Sequence, residues 1–221
     1  MFKSERFSAP SSHSFRLPVQ FLESLTSGGA AYDFEFDEIL PSRFREISDI
    51  HWTPIEVARK IAFVLRDQPR ARFMDVVSGA GKLCLLLALM TDLNIYGIEQ
   101  REELVKVSRK ICDANAPGRI NIIHGNMISL DWDQYDIFYF YNPFQEHMSG
   151  REDVDLIDYK INFNKKVYFK YVEIVFQQLE LLRPKQKVIT FHGYGGGQPP
   201  SLRLLESFKI GHGTLNIWEK V

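Results

Sequence analysis

The stretch 71–100 constrains the fold of this chain more than any other part of the sequence. An apolar run, Phe73 to Val77, is followed by the tight turn Ser78-Gly79-Ala80-Gly81, and Lys82 to Met90 favours a helix. A second apolar run, Asn94 to Ile98, stops at the acid Glu99. The order strand, glycine turn, helix, strand, acid predicts half of a nucleotide-binding α/β sheet. Glycines let the backbone approach a ligand closely, and an acid in that place can accept hydrogen bonds from ribose hydroxyls.

Two classes of nucleotide-containing cofactor use such a unit. The dinucleotide fingerprint places a third glycine where this chain has Cys84, which weakens the interpretation as an NAD site. The other pattern is acid-x-Gly-x-Gly-x-Gly, which Asp75, Gly79 and Gly81 fit, while Val77 stands in place of its first glycine. With that one departure, the unit resembles the class I S-adenosylmethionine (SAM) methyltransferases. A valine makes this part of the turn bulkier than a glycine would.

The length and charge limit the classes of protein. A chain of 221 residues fits one domain, and we expect a methyltransferase domain over 51–221 preceded by an N-terminal tail and short helical extension over 1–50. A formal net charge of -1 provides no strong overall field toward nucleic acid or membrane, and no apolar run approaches the roughly 20 residues of a membrane span. Two cysteines, Cys84 and Cys112, are too few for a disulfide framework or a zinc cluster, which favours reduced thiols and a cytoplasmic location.

The first fifty residues carry weaker signals. Residues 1–16 are expected to be disordered, and Leu17 to Leu25 predicts a short helix that ends at Ser27-Gly28-Gly29. Tyr32 to Leu40 alternates aromatic and acidic residues, which suggests a short strand or an extended lid.

A helix start is predicted at Thr53. Thr53 fits the N-cap, Pro54 the first helical position and Glu56 the third position of a capping box. The simple interpretation is a well-capped helix that covers the sheet. Trp52-Thr53-Pro54 also resembles the element that closes over the methionine end of SAM in amino-group methyltransferases, which implies cofactor-binding roles for Trp52 and Thr53.

The third strand, Arg119 to Ile123, is followed by Asn126 and Met127. In the methyltransferase family a polar residue here bonds the adenine amino group and an apolar neighbour packs on the ring, so the resemblance implies those roles for this pair. Asn126 standing alone would be an ordinary turn residue. The same resemblance places Gln100, next to Glu99, among the cofactor-binding residues.

Tyr135 to Tyr141 is the strongest predicted strand, a continuous aromatic and β-branched run suited to a buried central position. It ends in Asn142-Pro143-Phe144, and catalytic groups in open α/β sheets lie at such strand ends. Methyltransferases that act on adenine or glutamine have Asn/Asp-Pro-Pro-Tyr/Phe here, so the resemblance implies that Asn142, Pro143 and Phe144 position an acceptor amine. The single proline departs from that motif, and Asn-Pro is also a common turn starter. Tyr141 is placed beside the cofactor.

The remaining elements complete a Rossmann-like, doubly wound mixed sheet of seven strands. Asn164 to Leu182 predicts a long helix, and Lys187 to Phe191 a fifth strand. Two short runs, Phe208–Ile210 and Leu215–Trp218, flank the turn Gly211-His212-Gly213 and predict a C-terminal antiparallel β-hairpin. A dehydrogenase would usually continue with another parallel unit.

The resemblance implies a SAM-dependent methyltransferase that transfers a methyl group to an amine by direct displacement, with no metal site. Asp75, Ser78, Gly79 and Gly81 would hold the methionine part and Glu99 the ribose. The acceptor stays open between a protein lysine and a nucleobase, and the oligomeric state is not indicated. The alternatives from other classes are an NAD-dependent oxidoreductase and a non-catalytic SAM-binding module.

Overall fold

The computed structural model describes residues 14–144, 147 and 164–221. Seven strands form one sheet in the order β3-β2-β1-β4-β5-β7-β6. The strands are β1 Arg72–Val76, β2 Asn94–Glu99, β3 Ile120–His124, β4 Ile137–Tyr141, β5 Lys187–Phe191, β6 Leu202–Ile210 and β7 Gly213–Lys220. Neighbours among β1 to β5 run parallel, while β7 runs antiparallel to both β5 and β6. The predicted mixed seven-stranded sheet with a C-terminal hairpin is therefore confirmed.

Eight α-helices of the described chain accompany the sheet. They are α1 Val19–Ser27, α2 Asp33–Asp37, α3 Ser42–Arg45, α4 Ser48–His51, α5 Ile55–Leu65, α6 Lys82–Met90, α7 Glu102–Asn115 and α8 Lys165–Leu181. The buried side chains form two clusters, one centred on α5, α6 and α7 and the other on β4 and α8. None of the helices in the described ranges is long and apolar enough to cross a bilayer.

The predicted strand or lid over Tyr32–Leu40 is wrong, because this segment contains helix α2. The Glu35 carboxylate accepts a hydrogen bond of 2.8 Å from the Tyr32 backbone N–H and so caps the helix start. Phe36 is fully buried and Phe34 is largely exposed, as expected for positions two apart on a helix. The helix also places Asp33 and Asp37, four residues apart, on one face.

The N-terminal helices pack on the same core as the sheet. Side chains of Phe21, Leu25, Phe36, Leu40 and Phe44 are buried in the first hydrophobic cluster. The predicted first helix is confirmed two residues further along, and it ends where Gly28 adopts a left-handed conformation with φ of +79°. Of the disorder expected over 1–16, positions 1–13 lie outside the described residues, whereas the Phe15 carbonyl accepts a hydrogen bond of 2.7 Å from the Asn115 amide.

Candidate active site

The turn after β1 lies at the carboxyl edge of the sheet, where open α/β sheets bind ligands. The Ser78 N–H donates to the Ile98 carbonyl at 2.9 Å, and the Gly81 N–H donates to the Ser78 carbonyl at 2.9 Å. Gly79 and Gly81 have φ of +56° and +79°, a region that glycine enters without steric cost. These bonds hold the turn in the sharp conformation that the glycine pattern predicted.

The indole of Trp52 packs directly on this turn. A Cβ atom built at Gly79 would overlap the Trp52 ring, so only glycine leaves room for it. The indole N–H donates to the Phe44 carbonyl at 2.9 Å, which fixes the ring from the side of α3. The chain before α5 therefore closes over the glycine turn.

Thr53 does not cap α5, so the predicted capping box is wrong. Its hydroxyl is buried and shares a hydrogen bond of 2.9 Å with the hydroxyl of Tyr139 on β4. The Ile55 N–H at the start of the helix donates instead to the Asp33 carboxylate at 2.9 Å. A residue of α2 thus takes the capping role that local spacing had assigned to Thr53.

Two clefts open beside the glycine turn. The first, about 310 Å³ in volume, we name the β1–β4 cleft; six of its lining residues are Thr53, Asp75, Ser78, Lys82, Tyr139 and Tyr141. The second, about 380 Å³, we name the β2–β3 cleft; six of its lining residues are Gln100, Arg101, Asn126, Met127, Pro143 and Phe144. Val77 lines both.

The β1–β4 cleft contains a carboxyl group that titrates near neutral pH. Burial raises the pKa of Asp75 to about 7; the hydrogen bond from the Cys84 thiol opposes that shift, and the negative charge of Glu99 adds to it. The same burial raises the pKa of the Tyr139 phenol well above its ordinary value, so that this hydroxyl stays protonated. The Ser78 hydroxyl is buried in the cleft wall without a hydrogen-bond partner among the described residues. Buried hydroxyls are normally satisfied, so this one is available to a ligand.

Lys82 is a site residue that the sequence reasoning did not identify. Its side chain is only 3% exposed, and its ammonium lies 2.8 Å from the Asp33 carboxylate and 2.9 Å from that of Asp37. Asp37 in turn accepts a hydrogen bond of 2.5 Å from Ser48. These contacts attach α2 and α4 to the first residue of α6, directly after Gly81. The sequence did contain an indication of this site, because Asp33 and Asp37 are four residues apart and would share one face of a helix. The strand predicted for that segment placed them differently.

Glu99 ends β2 as predicted, but its carboxylate is fully buried and is not part of the lining of either cleft. One oxygen accepts from the Gly79 N–H at 3.1 Å, and the other accepts from the Arg101 N–H at 2.8 Å and from the Arg101 guanidinium at 3.3 Å. Glu99 therefore stabilises the glycine turn through one carboxylate oxygen, and Arg101 covers the other, which we call the outer oxygen.

The residues after β3 form a polar wall in the β2–β3 cleft. The Asn126 amide donates to the Gln100 side-chain oxygen at 2.7 Å and to the Tyr171 hydroxyl at 2.9 Å, while its own oxygen accepts from the Ile128 N–H. Met127 is buried beside it. The structure thus brings together Gln100, Asn126 and Met127, and it adds Tyr171 of α8, which the sequence reasoning had missed.

The residues at the end of β4 and after it line different clefts. Asn142 has φ of +39°, a region that asparagine tolerates better than most residues, and its N–H donates to the Gly193 carbonyl at 3.0 Å. Pro143 and Phe144 line the β2–β3 cleft, where Phe144 stacks on Tyr171 with ring centroids 5.2 Å apart. Tyr141 lines the other cleft and donates to the Ile50 carbonyl at 3.2 Å. No group of three His, Cys, Asp or Glu side chains within the described ranges could hold a metal ion.

Comparison with known proteins identifies the fold. No family model matches the chain, and no curated protein matches it significantly. An RNA methyltransferase from Salinibacter ruber, solved with S-adenosyl-L-homocysteine, matches it with a TM-score of 0.52 at 20% identity, over 76% of this chain and 92% of the other. This chain has the class I methyltransferase fold.

Two further structures share the class I fold of this chain. TrmN from Thermus thermophilus matches with a TM-score of 0.56 at 17% identity over 81% of this chain, which spans about half (52%) of TrmN. MtNAS, solved with MTA and tNA, matches with a TM-score of 0.54 at 11% identity, over 93% of this chain and 70% of MtNAS. A dehydrogenase of the dinucleotide-binding type would have the sheet order 3-2-1-4-5-6, without the inserted antiparallel strand.

Proposed function

We propose that this protein is a SAM-dependent methyltransferase that acts on an amine. The observation that carries the proposal is the pair of clefts that meet at the glycine turn on the carboxyl edge of a class I sheet. One cleft offers charged and hydroxyl groups, and the other offers amides beside apolar side chains. A ligand with an amino-acid end and a purine end matches both.

The β1–β4 cleft suits the methionine part of SAM. An amino acid carries an ammonium and a carboxylate. This cleft contains the Asp75 carboxyl, the Lys82 ammonium, which also contacts the carboxylates of α2, and the Ser78 hydroxyl, which has no hydrogen-bond partner among the described residues. Opposite charges in a poorly solvated site attract strongly. Trp52, packed on Gly79, would exclude water from the back of that end.

The β2–β3 cleft suits the adenine. Asn126 and Gln100 supply amide donors and acceptors, and Met127 and Phe144 supply apolar surface for a ring. We assign the binding of the ribose to Glu99, and this assignment requires a movement of Arg101. A sugar hydroxyl can reach the outer oxygen of Glu99 only if the Arg101 guanidinium, now 3.3 Å away, moves aside.

SAM supplies a methyl group on a sulfonium, which is already a good leaving group, so the task of the protein is to orient the acceptor. Asn142, at the end of β4, would accept a hydrogen bond from the acceptor amine and keep its lone pair directed at the methyl carbon. Pro143 and Phe144 would limit the approach of the acceptor from the side of the β2–β3 cleft.

An acidic surface over 33–56 favours a cationic acceptor, such as a lysine side chain in a protein. This segment carries seven carboxylates, six of them at least partly exposed and one, Asp37, buried, and only two arginines. At the start of this segment, Phe34 and the adjoining Tyr32 are stacked with ring centroids 5.6 Å apart and are 68% and 56% exposed, which makes them a platform for a cation–π contact. Asp33, between these two residues in the sequence, contacts Lys82 in the wall of the β1–β4 cleft. A polyanionic RNA, the substrate class named for the Salinibacter ruber neighbour, would be repelled by this surface.

Two experiments test the proposal. Titration calorimetry with S-adenosylhomocysteine should show saturable one-site binding and NADH should show none; the reverse result would favour an oxidoreductase. Labelled methyl groups from SAM should then appear in the protein fraction of a treated lysate, with less transfer by a Tyr32→Ala/Phe34→Ala variant. Label in the nucleic-acid fraction would overturn the lysine assignment, and binding without any transfer would indicate a non-catalytic module.

A further inference from the structure

Val77 has a backbone conformation that valine rarely adopts. It follows β1 directly and has φ of +65°, whereas β-branched side chains are strongly disfavoured at positive φ. The neighbouring bonds of the turn, from Ser78 to Ile98 and from Gly79 to Glu99, leave the backbone little freedom to relax. Strained residues of this kind cluster at ligand sites, where the surrounding structure holds them in place.

Val77 lies at the boundary between the two clefts. Of the described residues that line the two clefts, Val77 alone lines both. Its side chain is half-buried, so its methyl groups stand where the β1–β4 cleft meets the β2–β3 cleft. A ligand that extends from one cleft to the other must pass this side chain, and a glycine here would leave the passage open.

We propose that Val77 is a partition that weakens the binding of any ligand spanning both clefts, and so sets the affinity of this protein for SAM. This inference rests on the proposed function. The groups that would hold the two ends of the ligand do not change, because Asp75, Ser78 and Lys82 lie on one side of Val77 and Gln100 and Asn126 on the other. The partition therefore lowers the affinity for a ligand that spans both clefts, and it leaves the affinity for a ligand that occupies only one cleft unchanged.

The proposal predicts a specific pattern of affinities. Val77→Gly should bind S-adenosylhomocysteine about tenfold more tightly than the wild type, a difference of about 1.4 kcal/mol. Val77→Ala, which removes the two γ-methyl groups but keeps a Cβ atom at positive φ, should show a smaller gain. Adenine and methionine, each of which the proposed function places in one cleft only, should bind the wild type and both variants equally. Titration calorimetry measures all of these affinities, and circular dichroism checks that each variant is folded.

Lys185→Gly is the matched control. Lys185 also has positive φ, +73°, but it lies in the turn between α8 and β5 and lines neither cleft. This variant should relieve a similar backbone strain without changing the affinity for S-adenosylhomocysteine. An equal gain in Lys185→Gly would overturn the proposal, because it would trace the effect to general stabilisation.

The outcomes separate the partition from the proposed function. If wild type and Val77→Gly bind S-adenosylhomocysteine equally, or the variant binds it more weakly, the partition is refuted and the methyltransferase assignment stands. If neither protein binds it, the proposed function fails and the partition fails with it. Should Val77→Gly not fold, Val77→Ala decides: a gain supports the partition, and an unchanged affinity refutes it.

Discussion

The hydroxyl of Thr53 and the hydroxyl of Tyr139 form a hydrogen bond of 2.9 Å in the wall of the β1–β4 cleft. Both side chains are almost completely buried. This single bond ties the segment before α5 to the centre of the sheet, and it holds Trp52 in register over the glycine turn.

Removing both partners of this bond should destabilise the protein by less than the sum of the two single removals. Tyr139→Phe leaves the buried Thr53 hydroxyl unsatisfied and should lower the free energy of unfolding by about 1–3 kcal/mol. Thr53→Val should have a similar effect, and the double variant should be less destabilised than the sum of the two. Urea unfolding of the four proteins measures the coupling; strictly additive effects would contradict a direct bond.

The buried ammonium of Lys82 should contribute far more to stability than an exposed one. Lys82→Met leaves the Asp37 carboxylate buried without its cation and should cost about 3–5 kcal/mol. Lys106→Met provides the control, because it removes an exposed pair with Glu102, both side chains being about two-thirds exposed, and should cost less than about 1 kcal/mol. Denaturant midpoints of the two variants give the comparison, and similar losses would contradict the burial of the Lys82 network.

The raised pKa of Asp75 predicts a pH-dependent stability. Between about pH 3.8 and pH 7 the folded protein keeps a proton on Asp75 that the unfolded chain has released. The contribution of this group to the free energy of unfolding therefore falls as pH rises through that window and is lowest above about pH 7. Asp75→Asn should remove the dependence, so the stability of the variant relative to wild type should increase as pH rises from about 4 to about 7 and should stay constant above that.

The same group predicts the pH dependence of ligand binding. A cationic ligand favours the charged carboxylate, so the affinity for SAM should rise with pH up to about pH 7 and then level off. Asp67→Asn, which alters an exposed carboxylate, is the control and should keep the wild-type profile. A flat binding profile in the wild type would show that Asp75 does not meet the charged end of the ligand.

The contact between Gly79 and Trp52 can be tested with a pair of glycine substitutions. Gly79 and Gly118 both have positive φ, but a Cβ atom would overlap the Trp52 ring at Gly79 and meet nothing within 4 Å at Gly118. Gly118→Ala should cost about 1–2 kcal/mol from backbone strain alone. Gly79→Ala should cost more and should alter the tryptophan fluorescence, and equal losses with unchanged fluorescence would contradict the packing of Trp52 on the turn.

The sheet was predictable because its strands carry strong local signals. Helix α6 was predicted with the bounds that the structure has, because a continuous run of helix-favouring residues starts directly after Gly81, and β5 was likewise predicted without error. The antiparallel pair β6 and β7 was predicted too short, since its outward-facing charged residues obscured the apolar alternation.

Two of the failures share a cause, which is that the partner of the residue lies far away in the sequence. Thr53 looked like an N-cap from its neighbours, yet its hydroxyl bonds Tyr139, 86 positions away. Asp33 and Asp37 looked like one side of a strand until the ammonium of Lys82 gave them a common partner. The covering of Glu99 by Arg101 is local, but the sequence alone could not indicate that this arginine folds back onto the acid.

The insertion of β7 between β5 and β6 has a consequence for the synthesis of this protein. Of the described strands, β7 comes last along the chain, so until it emerges from the ribosome β5 has hydrogen-bonding partners on one side only, and β6 has none in the sheet. Unpaired edges of that kind recruit strands from other molecules. A message truncated shortly before residue 213 would therefore yield aggregating polypeptide that the cell must clear, even though the glycine turn and both clefts had already been made.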